Sequence, residues 1–305
     1  MTEKREATPK FSNIKIDEEE TRVFYQGKSE VGSNPIKIGF SETGQKVLLK
    51  TNIVFKGDNE KNKDANLSLD NLKKYIEELQ SEGYQIDYET DLRQQIEALF
   101  AEEQAHRLCK QLGIYTPDSQ LVFIDDVPYI AYEFIEEARD ISFGINIELS
   151  KDRDEMRNQQ IAIAKGALIK TLLSGYDDGQ FLQIRKNGDI IITDLAIRNP
   201  TRTQSQEKFD KTLGYFFIQK HIEILAHQFS GINSEEIMMI LEKLQKLSLQ
   251  SILDIITYEV GNPTELEILK AQAIIDRIPY VVDLFTKIRE NPEETFTKIQ
   301  KLQEK

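Results

Sequence analysis

Asp178 and Asp194 stand at the two ends of a stretch that reads as a β-hairpin. After the turn that bears Asp178 comes a short strand ending at Ile184, then a turn at Asn187-Gly188, then a second apolar strand that leads to Asp194. Antiparallel pairing brings both acids to one end of the hairpin, with the amide of Gln183 nearby. Hard oxygen donors in that arrangement suit Mg²⁺, and a metal held there suits the phosphates of a nucleotide. An ordinary hairpin with solvated acids at its ends has the same pattern, so residues upstream must decide between the two.

Three upstream features bear on phosphate binding. Gly27 to Pro35 is a loop of small residues containing Gly32 and Ser33, whose backbone N–H groups and hydroxyl can cap phosphates. Lys50 closes an apolar run, Val47-Leu48-Leu49, from which it can reach phosphates as a point charge or snorkel from an edge strand. Glu102 and Glu103 lie beside the apolar stripes of a helix expected over 91–112, ended by Gly113 and Pro117. One of these two acids is expected to pair with Lys50, and the spacing leaves open which. Further on, Tyr132-Glu133-Phe134-Ile135 ends a strand and turns polar. That suits a connector whose backbone, at Glu133, bonds a flat base.

The elements that must position these residues divide the chain in two. The expected division is a flexible N-terminus over 1–20, a sheet-rich part over 21–135 with an insertion at 56–90, and a helical part over 136–305 holding the hairpin at 174–196. Strands are expected at 22–26, 36–40, 45–54, 120–124 and 129–135, with 136–155 irregular. Helices are expected at 161–173, 209–229, 234–245, 248–258, 264–275, 279–290 and 292–303. His221 and His227 are six apart and do not share a helix face, which argues against a metal site there. The loop 197–202, with Arg198 and Arg202, reads as exposed, or as facing an anionic group.

With 305 residues the chain can build two sizeable cores. A net charge of -13 argues against a bulk nucleic-acid binder. The single cysteine, Cys109, excludes an internal disulfide and reads as a small buried helix residue. No apolar run reaches a membrane span, and the N-terminal residues carry no signal-peptide core, so a cytoplasmic protein is expected.

In their order these residues resemble the kinase fold in its phosphatidylinositol 3-/4-kinase-like branch, and the related kinases of bacterial toxin–antitoxin modules. The shared features are Gly32-Ser33-Asn34-Pro35 in the first loop, Lys50 on its strand, and Asp91-Leu92-Arg93-Gln94 opening the helix. Glu102, Ala105, Arg107 and Leu108 meet the toxin-type spacing of the pairing glutamate. Asp178-Gly179-Gln180-Phe181-Leu182-Gln183 stands for the catalytic loop, and Thr193-Asp194-Leu195-Ala196 for the metal-binding turn. The sequence departs from the pattern at Gln95, at Gln180 in place of histidine, at Gln183 in place of asparagine, and at Leu195-Ala196.

The resemblance implies an α+β, bilobal protein-kinase-like fold with an antiparallel-sheet N-lobe, a mainly helical C-lobe and extra C-terminal helices. It implies ATP with Mg²⁺, or Mn²⁺ in its place, bound between the lobes. Lys50 would hold the phosphates, Asp178 would orient or deprotonate the acceptor hydroxyl, and Asp194 and Gln183 would hold the metal. The acceptor would be a protein Ser/Thr or a phosphoinositide, the latter compatible with peripheral membrane contact. The substitutions at Gln180 and Gln183 support an alternative, a pseudokinase or nucleotide-binding scaffold whose helical half binds a partner. A third reading is an unrelated helical interaction protein with a small sheet domain. The composition, rich in Glu, Lys, Gln and Ile, is similar to that of bacterial effectors secreted into host cytosol.

Overall fold

The computed structural model describes residues 11–26, 36–51, 81, 88–125, 127–136, 139–142, 151–173, 181–184, 190–192, 195, 197, 231–257 and 263–303. The chain is α+β, with an antiparallel sheet in its N-terminal part and a mainly helical C-terminal part. It divides into two compact units, one of residues 1–103 and 118–134, the other of residues 104–117 and 135–305.

The first unit is built on a five-stranded antiparallel sheet. Its strands are β1 (Lys15–Ile16), β2 (Ile36–Phe40), β3 (Lys46–Lys50), β4 (Ser119–Ile124) and β5 (Val127–Glu133), in the spatial order β1-β2-β3-β5-β4. The β2–β3 turn uses Gly44 at φ +79°, and the Ser41 and Gly44 amides donate to Gln45 and Ser41 carbonyls. Strand alternation sorts the side chains into two faces. Val47, Leu49, Val122, Tyr129 and Ala131 pack on one, with Phe11. Leu48, Leu121, Ile130 and Tyr132 pack on the other, against Ile96, Leu99 and Phe100 of helix α2 (Tyr88–Leu112).

The N-terminal segment corrects the sequence reading in one respect. Residues 22–26, read as a strand, lie in helix α1 (Glu18–Gln26). Val23-Phe24-Tyr25 has strand character locally, but the start signal precedes it. Asp17 Oδ1 accepts the Glu20 amide at 2.9 Å, and Glu18, Glu19 and Glu20 favour the positive end of a helix. Thr21, buried, accepts the Ile38 amide at 2.9 Å and ties α1 to β2. Ahead of α1, Phe11 is buried and Lys15–Ile16 pairs with β2.

In the second unit, β6 (Arg139–Ser142), β7 (Phe181–Ile184) and β8 (Ile190–Ile192) form an antiparallel sheet with β7 central. The strand β6 falls where the sequence reads as irregular, because its four residues, Arg-Asp-Ile-Ser, carry little apolar signal and are held by pairing with β7. Helix α3 (Arg153–Leu173) is buried at every residue from Gly166 to Leu173. Leu168, Leu172, Ile192, Ile237, Ile274 and Phe285 share its core.

Helix α4 (Glu235–Gln245) is N-capped by Ser234, and α5 (Leu249–Ile256) and α6 (Glu265–Glu290) start on capping boxes at Ser248 and Thr264. Helix α7 (Pro292–Gln303) follows. The two helices read at 264–275 and 279–290 are one. Pro279 is exposed within α6 and removes the N–H that would donate to the Ile275 carbonyl, yet the buried stripe from Ile274 through Ile278, Val281 and Phe285 holds the helix together. Among the described residues, no helix is long and apolar enough to cross a membrane.

Candidate functional site

The parity of β3 decides where Lys50 goes. Leu48 and Lys50 are two apart and share the sheet face that packs on α2, with Lys50 opposite Ile130 and Leu48 opposite Tyr132. Lys50 Nζ donates to Glu102 Oε1 at 2.8 Å. The second oxygen, Oε2, accepts the phenolic hydrogen of Tyr132 at 2.5 Å. β3 is flanked by strands on both sides, so Lys50 is not on an edge strand.

Burial gives this cluster its energetic weight. The side chains of Lys50 and Glu102 are 14% and 6% exposed. Away from water an ion pair must be well made to offset desolvation, and removing one partner strands the other charge. Glu102 meets that requirement with two charge-assisted hydrogen bonds, one from a cation and one from a hydroxyl.

The two candidate acids have separate tasks. Successive helix residues point about 100° apart, as 3.6 residues per turn require. Glu102 therefore reaches Lys50, while the buried Glu103 accepts the Leu121 backbone amide on its Oε2 at 3.0 Å. β4 is at one edge of the sheet, so Glu103 answers an edge amide.

Glu133, half-buried, ends β5 opposite Val47, and its amide donates to the Asp118 carbonyl at 2.8 Å. Beside it, Phe134 donates its amide to the Lys46 carbonyl, and the Lys46 ammonium sits 4.6 Å from the centre of the Phe134 ring. Lys46 Nζ also pairs with Glu20 of α1 at 2.6 Å, so α1 and the end of β5 meet on one side chain.

For the remaining candidates the backbone alone is informative. Gln183 stands in β7, in register with Asp140 on one side and Ile191 on the other. The hairpin strands 181–184 and 190–192 are paired as the sequence implies. Gly32, Ser33, Asp178, Gln180 and Asp194 lie outside the described residues, as do His221, His227, Arg198 and Arg202. Among the described residues, no three His, Cys, Asp or Glu side chains gather into a metal site. Cys109 is fully buried, and burial pushes its thiol up, against a partly opposing Lys170, which removes it as a nucleophile.

Tyr132 is the participant that sequence reasoning passed over. Its position was legible: Ile130 and Tyr132 share a strand face with the Lys50 row once β5 is paired to β3. Its hydroxyl contact was not, because it depends on the depth at which α2 lies over the sheet.

No known protein family matches the sequence, and no curated protein matches it either. Several solved structures are similar in shape. The proinflammatory kinase CtkA of Helicobacter pylori is 10% identical, with 96% of this chain and 98% of that chain covered and a TM-score of 0.42. HipA of Shewanella oneidensis MR-1, solved with HipB and operator DNA, is 11% identical over 94% of this chain and 76% of that one, with a TM-score of 0.41. An apo pseudokinase, GRMZM2G135359, is 10% identical over 91% and 90%, with a TM-score of 0.33.

Proposed function

We propose that the chain is an atypical ATP- and Mg²⁺-dependent kinase that transfers phosphate to a protein Ser/Thr or phosphoinositide hydroxyl. The observation that carries the reading is the strand lysine held by a helix glutamate, Lys50 on Glu102. A phosphotransferase needs a fixed cation at the phosphates more than it needs covalent chemistry, because positioning and electrostatics supply most of the rate. The donor set fits the cofactor: Lys50 offers a carboxylate-anchored charge, and Asp194 and Gln183 offer hard oxygens.

In this reading ATP supplies the transferred phosphoryl group and Mg²⁺ neutralises its charge. The chain's own residues take these roles. Lys50 binds phosphate oxygens, and Gly32 and Ser33 cap them with backbone and hydroxyl donors. Glu133 belongs to the connector whose backbone orients the base. Asp194 and Gln183 hold the metal. Asp178 accepts the proton of the acceptor hydroxyl, and Gln180 contributes a polar amide beside the transferred group. We assign 21–135 to an N-lobe with an insertion at 56–90, and 136–305 to a C-lobe. The net charge of -13 speaks for an acceptor other than nucleic acid. Action in the cytoplasm, or in a host cytosol after secretion, is compatible with it.

The test is ATP consumption by wild type, Lys50→Ala and Asp194→Ala, with protein and phosphoinositide acceptors offered in parallel. Wild-type turnover lost in both variants supports the reading. Equal turnover in all three proteins rejects it. A second reading rests on the glutamines at 180 and 183, where the kinase pattern has histidine and asparagine. It is a pseudokinase whose helical part binds a partner. ATP binding without transfer to any acceptor selects it.

A further inference from the structure

We propose that Tyr132 is a positioning residue for Lys50, acting through Glu102. The inference rests on the nucleotide reading above and adds a member to its lysine site. A glutamate carboxylate turns easily, because its last torsion is broad rather than three-welled. A bond to a lysine at the end of four flexible methylenes sets the plane of that carboxylate less firmly than a bond to a side chain fixed by packing. Tyr132 supplies such a bond. Its ring is wedged among Leu99, Leu121 and Ile130, on β5, which has strands on both sides. Its hydroxyl donates to Oε2 at 2.5 Å, which leaves Oε1 facing Lys50 Nζ at 2.8 Å. The tyrosine, with two torsions against the lysine's four, is the stiff member of the three.

Tyr132→Phe keeps the ring and removes only the donor. The measurements are Mg·ATP affinity, KM and kcat, and the rate at which trinitrobenzenesulfonate modifies Lys50, followed by peptide mapping. They are made on the full chain for wild type, Tyr132→Phe, Glu102→Gln and the double variant. Loss of one charge-assisted hydrogen bond should raise Kd and KM for ATP about tenfold and the Lys50 labelling rate about threefold, with kcat within about twofold. In the Glu102→Gln background the same change should add little, since the two residues act as a unit.

A purely structural tyrosine would lower thermal stability in both backgrounds and leave affinity and labelling where they were, and that result overturns the proposal. So does a loss of affinity that simply adds to that of Glu102→Gln. If the wild type binds no ATP, the kinase reading falls by itself. The labelling then decides the role of Tyr132: a raised rate upholds it and an unchanged rate overturns it.

Discussion

One cation contact in each unit shows two different chemistries. In the sheet unit Lys50 meets a carboxylate, Glu102, whose other oxygen is held by Tyr132. In the helical unit Lys270, more deeply buried than Lys50, donates to the amide oxygen of Gln104 at 2.8 Å, and the Gln104 amide nitrogen donates to the Ile256 carbonyl at 2.8 Å. Arg277 likewise donates to the Leu172 carbonyl at 3.3 Å. A neutral amide relay satisfies donors and ties α6, α5 and the end of α2 together. A carboxylate does something further, since its opposite charge holds the lysine in position. In the proposed kinase reading Gln104 and Lys270 serve architecture, and Lys50, Glu102 and Tyr132 belong to the lysine site.

The largest expected effect breaks the relay. Gln104→Leu strips an acceptor from Lys270 and a donor from the Ile256 carbonyl, and should cost about 3 kcal/mol of unfolding free energy. Urea denaturation measures it. Labelling of Lys50 in the folded protein should stay at the wild-type rate. A matching change in Lys50 reactivity would dissolve the distinction between the two kinds of cation contact.

Lys50→Met tests the other side. The methionine fills much of the same volume, Glu102 keeps the Tyr132 hydroxyl, and the site retains some access to water. The stability loss should therefore be about 1–3 kcal/mol, smaller than for a fully buried pair. ATP turnover, by contrast, should fall by at least about a hundredfold. A variant that loses stability and keeps its turnover would place Lys50 with Lys270 as a structural cation.

How much of this could be read without the structure depends on whether the signal was local. Strand β2 was legible as Ile36–Phe40 because Ile-Lys-Ile-Gly-Phe lies between residue types that favour turns, Asn34-Pro35 and Glu42-Thr43-Gly44. The starts of α4 and α6 were legible from Ser234 and Thr264, whose caps are formed as the sequence suggests. Helix α1 was misread because its acidic start and Asp17 cap were outweighed by Val23-Phe24-Tyr25. The α6 break at Pro279 was misread because burial of Ile278 and Val281 on both sides overrides the loss of one hydrogen bond. For Lys50 the helix was legible from spacing, which left Glu102 and Glu103 open, while the resemblance pointed to Glu102, the acid that holds it. Finding Tyr132 required the depth at which α2 lies over the sheet, which no local pattern encodes.

Gly113 carries a smaller prediction about where that helix ends. It sits at φ +81°, donates to the Lys110 carbonyl at 3.0 Å, and is followed by Ile114, whose amide donates to the Cys109 carbonyl at 2.8 Å. These two bonds close α2 in a Schellman motif. Gly113→Ala forces a side chain into the left-handed region and should cost about 1 kcal/mol. Its new Cβ would lie 3.3 Å from Lys243 Nζ, a flexible end that can shift, so no larger penalty is expected. Thermal unfolding measures the change.

The smallest effect separates two neighbours on the same turn of helix. Glu103→Gln keeps an oxygen that can accept the Leu121 amide, so the edge of β4 remains answered, and the loss should be about 0.5–1 kcal/mol. The change leaves the Lys50–Glu102 pair in place, and ATP affinity should hold at the wild-type value. Glu102→Gln replaces a carboxylate of the same shape one residue earlier, and there the affinity should fall. The ratio of the two affinities is therefore the sharpest measure of division of labour on α2. If Glu103→Gln weakens ATP binding as much as Glu102→Gln does, the helix acts as a block, and the pairing of Lys50 with one particular carboxylate has no functional meaning.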